Sequence, residues 1–171
     1  MKYTADKYYK ELNGKKVICV DFDNTVCLDE WPYIGPVIED AIKVLKELKR
    51  NGHKLILFTQ RSFSYPICCK ELVEYSRNKK VSFTVDILSD AIQIFRDNGI
   101  QLDDTNQNDD WEYMTGDDSR KVFADYFIDD HNVGMKYIIV DNKFGEKCKV
   151  CDWKFIDEWF VQEGLYKERV L

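Results

Sequence analysis

The sequence predicts an α/β fold with a mostly parallel central sheet. Short, near-continuous apolar runs rich in Val and Ile, KKVICVDF and HKLILFT among them, suit strands covered on both faces. Between them lie longer stretches with apolar residues at helical spacing. The two kinds alternate along the chain, as βαβ units do.

A polar amphipathic lead, Tyr3 to Leu12, ends at the turn Asn13-Gly14 and gives way to the first strand, KKVICVDF. PVIEDAIKVLKELKRNG then reads as a helix lying on the sheet. It carries Val37, Ile38, Ala41, Ile42, Val44, Leu45 and Leu48, opens on Pro36 and stops at Asn51-Gly52. HKLILFT is a second buried strand ending at Thr59. Helices are expected over about Tyr65 to Arg77 and about Ile87 to Asn98, the second closing on Gly99. A short strand comes next at Ile100 to Leu102, and the polar tract Asp103 to Trp111 reads as a loop. FADYFIDD is a strand ending on Asp129 and Asp130, KYIIVDN is another, and DWKFIDEWFVQEGL is a last amphipathic helix stopped at Gly164. No internal repeat is visible, and residues 1–171 read as one domain.

Composition narrows the function classes. Apolar residues at 44% and aromatics at 14% supply a core, so the chain is expected to fold rather than stay disordered. A balance of 25 basic and 31 acidic residues, net −6, disfavours a nucleic-acid polymer as partner. No apolar run approaches the roughly 18 residues that span a bilayer, and the polar start MKYTADKYYKEL has no signal-peptide core. No membrane partner and a cytoplasmic location are expected. Of six cysteines, Cys19, Cys27, Cys68 and Cys69 read as small apolar residues or ordinary thiols. Cys148 and Cys151 form CKVC, half a zinc ligand set whose other half is absent. That pair does not open a helix after a strand either, as redox chemistry of the CxxC type requires.

In parallel sheets ligands bind beyond the carboxyl ends of the strands, and there the polar residues fall: Asp21 and Asp23, Thr59, and Asp129 with Asp130. The pair in DFDNT raises the sharpest question. Two carboxylates one residue apart repel unless a cation shares them, and a hard divalent ion is the simple partner. A calcium loop fails on spacing, because Val26 stands where its glycine belongs and Pro32 where its glutamate belongs. Taken alone, DFDNT is equally an acidic turn, Thr59 a strand-end hydroxyl, Lys121 a solvated charge and Asp129-Asp130 a turn cap.

Four motifs in order change that balance. DFDNT from Asp21 to Thr25, LFTQR around Thr59, Lys121 ahead of a strand, and FIDD ending at Asp129-Asp130 together resemble the haloacid dehalogenase-like (HAD) superfamily of phosphohydrolases over about residues 16–141. The resemblance implies a three-layer Rossmann-like fold with helices on both faces, and a Mg²⁺-dependent phosphomonoesterase working through an aspartyl-phosphate. Asp21 would be the nucleophile and Asp23 the acid and then the base. Asp21, Asp23 through its backbone carbonyl, Asp129 and Asp130 would hold Mg²⁺. Thr59 and Lys121 would hold the phosphoryl oxygens, helped by the backbone N–H groups of Phe22 and Asp23. Arg61 and Ser62 are candidate substrate contacts, although Arg61 suits the acidic cluster equally well. His131 is a candidate pocket residue. Trp31, Tyr33 and Trp111 are candidate mouth residues that serve packing equally well, and His53 has no assigned role.

The interval from Ser62 to Arg120 leaves little room for a cap domain beyond a small insertion at about 78–90, so an open, capless or nearly capless site is expected. Its partner would be a phosphorylated substrate, either a small molecule or a macromolecule. A catalytically silent phospho-ligand binding module and a phosphotransferase on the same scaffold are the alternatives. Intact Asp21 and Asp23 favour an enzyme, and an open site argues weakly against a phosphotransferase, which must keep water from the intermediate.

Overall fold

The computed structural model describes residues 5–63, 65–66, 84–116 and 121–171. Four strands form the central sheet: β1 (Val17–Val20), β4 (Lys54–Leu57), β7 (Asp104–Thr105) and β8 (Tyr126–Ile128), all parallel, in the order β7-β4-β1-β8. The α/β architecture with a parallel sheet that the apolar runs predict is therefore present. β1 and β8 each end where an aspartate, Asp21 or Asp129, follows the apolar run.

Side-chain alternation in β1 gives the sheet two buried faces. Ile18 and Val20, with Leu55, Leu57 and Ile128, meet helices α2 (Glu39–Arg50), α3 (Ile87–Asp97) and α5 (Trp153–Gln162) through Leu45, Leu48, Phe95, Ile156 and Phe160. Val17, Cys19 and Ile56 face the opposite way, onto α1 (Ala5–Leu12) and α4 (Asp109–Thr115). Tyr8 and Leu12 of α1 are buried there, and Trp111 of α4 stacks on Phe123 at 3.9 Å between ring centres. Burying each such large side chain contributes about 1.5–3 kcal/mol.

Among the described residues three antiparallel pairs lie outside the sheet: β2 (Cys27–Glu30) with β3 (Tyr33–Val37), β5 (Tyr65–Pro66) with β6 (Thr84–Val85), and β9 (Tyr137–Asp141) with β10 (Lys147–Cys151). In the first pair a Cβ on Gly35 would meet the carbonyl oxygen of Leu28 at 2.2 Å, so only glycine fits.

Several sequence expectations need correction. The helix expected from Pro36 begins at Glu39, because Val37 pairs with Cys27 and the Ile38 amide bonds to the Val26 carbonyl at 2.8 Å. The strand expected at Ile100 to Leu102 falls instead at Asp104–Thr105, where the amides of Asp103 and Asn106 bond to the carbonyls of Leu55 and Leu57. The tract read as a loop contains this strand and starts α4, whose cap Asn108 accepts from the Trp111 amide at 3.1 Å. Tyr65–Pro66 is a strand rather than a helix start, and the rest of the helix expected to Arg77 lies outside the described residues, as does 78–83 of the expected insertion. KYIIVDN does not join the main sheet, and Ile138 and Ile139 are exposed. Cys148 and Cys151 stand three apart on one strand, which sends their side chains to opposite faces and leaves CKVC without a common metal side. Among the described residues no helix is long and apolar enough to cross a membrane.

Candidate active site

The register of the sheet assembles the site. Val20 lies beside Leu57 on one side and Ile128 on the other, so the chain leaves three adjacent strands at one level, at Asp21, Phe58 and Asp129. Asp21 is fixed there by its amide, which donates to the Ile128 carbonyl at 2.9 Å. The chain then turns tightly: the Phe22 carbonyl accepts from the amides of Thr25, Val26 and Cys27, and Asn24 takes a positive φ of 54°, which Asn tolerates better than most residues. The turn brings the Thr25 hydroxyl to 3.3 Å from Asp21 Oδ2, while the indole N–H of Trp153 holds the Thr25 carbonyl at 2.7 Å.

A cleft of about 470 Å³ opens at this edge, lined by Asp21, Asp23, Asn24, Asp29, Trp31, Phe58, Thr59, Gln60, Asp129, Asp130 and His131. Five of these are carboxylates, and among the described lining residues none is Lys or Arg. Burial pushes the Asp21 carboxyl up to about 7. The Phe22 amide opposes this shift, and Asp129, Asp130 and Asp23 add to it. Asp129, Asp130 and His131 place one ligand atom each within 4.8 Å of one another. His131 Nδ1 lies 2.8 Å from Asp130 Oδ1, and this bond with the neighbouring charge raises the imidazole pKa. Asp21 and Asp23 line the same cleft outside that tight group.

Thr59 stands at the cleft wall. Its amide donates to Asn106 Oδ1 at 2.8 Å, and its hydroxyl oxygen accepts from the Arg61 amide at 3.3 Å, leaving the hydroxyl proton to donate elsewhere. Arg61 does not reach the cleft. Its side chain has no exposed surface, and it grips Asp23 with both Nε (3.0 Å to Oδ2) and Nη2 (2.7 Å to Oδ1). Of the two jobs the sequence left open for Arg61, the structure selects the acidic partner and removes substrate contact. Burial raises the Asp23 carboxyl pKa and the Arg61 guanidinium works against it.

The structure does not bring Lys121 to the cleft. It is exposed and is not among the residues lining the cleft. The next residue, Val122, packs with Tyr8 and Leu12, and the Asp125 amide bonds to the Val17 carbonyl, at the amino end of β1 and away from the cleft. Ser62 serves the chain, its carbonyl accepting from the amides of Ile87 and Leu88 at the start of α3. Tyr33 is exposed on the hairpin, Trp111 is half-buried and packs against the core, and His53 is a buried structural link between the Lys16 amide and the Leu165 carbonyl. Asn24, Asp29, Gln60 and the Thr59 holder Asn106 carried no sequence signal, since each owes its position to tertiary contacts.

Fold and cleft together define an α/β protein with a carboxylate-lined cleft at the carboxyl ends of its parallel strands. A solved structure described as a conserved protein from Bacteroides thetaiotaomicron is similar to this chain, with 29% identity and a TM-score of 0.59 over 88% of this chain and 92% of the other. No protein-family model matches the chain, and no curated protein matches it significantly.

Proposed function

We propose that the cleft hydrolyses phosphomonoesters with Mg²⁺, and that the chain is a HAD-type phosphatase on a three-layer Rossmann-like fold, with little or no cap. The observation that carries this reading is the convergence of Asp21, Asp23, Asp129 and Asp130 on one cleft with no basic residue among the described lining residues. Such an all-oxygen set suits a hard divalent ion, and its mutual repulsion calls for one. Asp21, Asp129 and Asp130 would hold the ion with the Asp23 main-chain carbonyl. Bound there, Mg²⁺ supplies positive charge that offsets the carboxylates and polarises the phosphoryl oxygens.

The chain's own groups then divide the work. Thr25 steadies one oxygen of Asp21, and the carboxylate attacks phosphorus, forming the aspartyl-phosphate as the bond to the leaving oxygen breaks. Asp23 gives that oxygen its proton, then takes a proton from the water that attacks the intermediate and frees inorganic phosphate. The Thr59 hydroxyl donates to a phosphoryl oxygen. With Lys121 outside the cleft, no lysine role is carried into this mechanism. Five carboxylates at the mouth disfavour polyanionic substrates such as a nucleic-acid polymer, and a phosphorylated small molecule or protein segment in the cytoplasm is the expected partner.

The test is a panel of aryl phosphate, sugar phosphates, nucleotides and phosphopeptides, each assayed with Mg²⁺ and in excess chelator, for wild type and Asp21→Asn. Mg²⁺-dependent phosphate release that Asp21→Asn abolishes is the expected result. Undiminished release in chelator would remove the metal, near-normal turnover by Asp21→Asn would remove the nucleophile, and binding without turnover would leave a silent phospho-ligand module.

A further inference from the structure

Resting on the phosphatase reading, we propose that Arg61 is the positioning residue for Asp23 and ties it to the β2–β3 hairpin, so that proton transfer to the leaving group depends on that hairpin being seated. Arg61 is 1% exposed. Besides its two bonds to Asp23, Nη1 donates to the Pro32 carbonyl at 3.0 Å and Nη2 to the Tyr33 carbonyl at 2.9 Å, where β2 turns into β3. Four of the five guanidinium N–H groups are thus committed, and none of the side chain is left on the surface for a phosphate to touch. The guanidinium also packs against the rings of Phe22 (5.0 Å) and Trp31 (5.2 Å).

This arrangement does more than neutralise a charge. A planar fork fixes both oxygens of Asp23 in one orientation, which a point-charge ammonium does not. The same fork is fixed in turn by two hairpin carbonyls, and the ring of Trp31, a cleft-lining residue, lies against it. Hairpin, guanidinium and Asp23 are therefore joined in one hydrogen-bonded unit. Backbone continuity extends the unit to Thr59, whose hydroxyl accepts from the Arg61 amide.

Arg61→Lys and Arg61→Ala test this on an alkyl phosphate, whose leaving group needs protonation, and on p-nitrophenyl phosphate, whose leaving group does not. Mispositioning the acid should lower kcat on the alkyl ester by ~10 to 100-fold, below the full range for removing a general acid. KM should change little, p-nitrophenyl phosphate should lose far less, and Arg61→Lys should fall between wild type and Arg61→Ala. In parallel, amide hydrogen exchange over residues 27–37 should quicken in Arg61→Lys and in Asp23→Asn relative to α3. Equal losses on both esters, or losses confined to KM, would overturn the positioning role. Should Arg61→Ala fail to fold, Arg61→Lys and Arg61→Gln carry the same comparison. If wild type hydrolyses neither ester, the phosphatase reading falls and exchange alone decides the tie: quickened hairpin amides sustain it, and unchanged ones end it.

Discussion

Asp21 is held where its charge is least welcome, and this has a measurable cost. Its ordinary carboxyl value of 3.8 rises to about 7 in the fold, so between those values the folded state keeps a proton that the unfolded chain has released. Stability from this group is complete below about 4 and is lost as pH rises through 7. In chelator, Asp21→Asn should therefore be more stable than wild type at pH 8, by on the order of 2 kcal/mol, and should lose that advantage by pH 4. Urea unfolding of both proteins at the two pH values checks this, and a difference independent of pH would mean that Asp21 ionises normally. The site was legible at this scale where an apolar run stops abruptly on acids, as at Asp21 and Asp129. It was illegible where a residue's place is set by a distant partner: two hairpin carbonyls and Asp23 hold the Arg61 side chain away from the cleft, and Asn106 enters the site only by holding the Thr59 amide.

Among the elements, α2, α3 and α5 were readable because each carries one apolar stripe, and they end where Gly52, Gly99 and Gly164 allow a positive φ. The β2–β3 pair was not, since CLDE has no strand pattern and Pro36 mimics a helix start. Helix α4 does carry a cap signal in the sequence: Asn108 precedes Asp109, Asp110 and Glu112, with Gly116 in the left-handed region at its end. Helix α5 also anchors the segment from Leu165 to Leu171. Asp157, fully buried, accepts from the Tyr166 hydroxyl at 2.7 Å and from the amides of Val170 and Leu171, with Arg169 Nε at 3.6 Å. Replacing it by Ala strands those donors and should cost about 3 kcal/mol in urea unfolding, with the m-value unchanged. Tyr166→Phe should cost about 1 kcal/mol, the size of one hydrogen bond. A loss below about 1 kcal/mol for Asp157→Ala would show that this carboxylate does not hold the segment.

At the scale of the molecule, the cleft exists because β1 lies between β4 and β8, so the chain exits from three neighbouring strands meet although they are far apart in sequence. A cation shared by Asp21, Asp129 and Asp130 would cross-link the exits of β1 and β8 and relieve the repulsion that their acids impose on the folded state. Binding to the folded chain alone raises stability by about 2.7 kcal/mol at a hundred times the dissociation constant. For a chain of this size each kcal/mol moves Tm by roughly 2–4 °C. Saturating Mg²⁺ should then raise Tm by roughly 5–10 °C over chelator at matched ionic strength and pH 8. Because protons compete for Asp21, whose carboxyl titrates near 7, the gain should shrink at pH 5. Asp129→Asn should abolish most of it, whereas Lys121→Ala, outside the cleft, should leave it intact. Equal Tm values in Mg²⁺ and chelator at pH 8 would remove the cation from the site, and with it the charge that allows a phosphate dianion to approach five carboxylates.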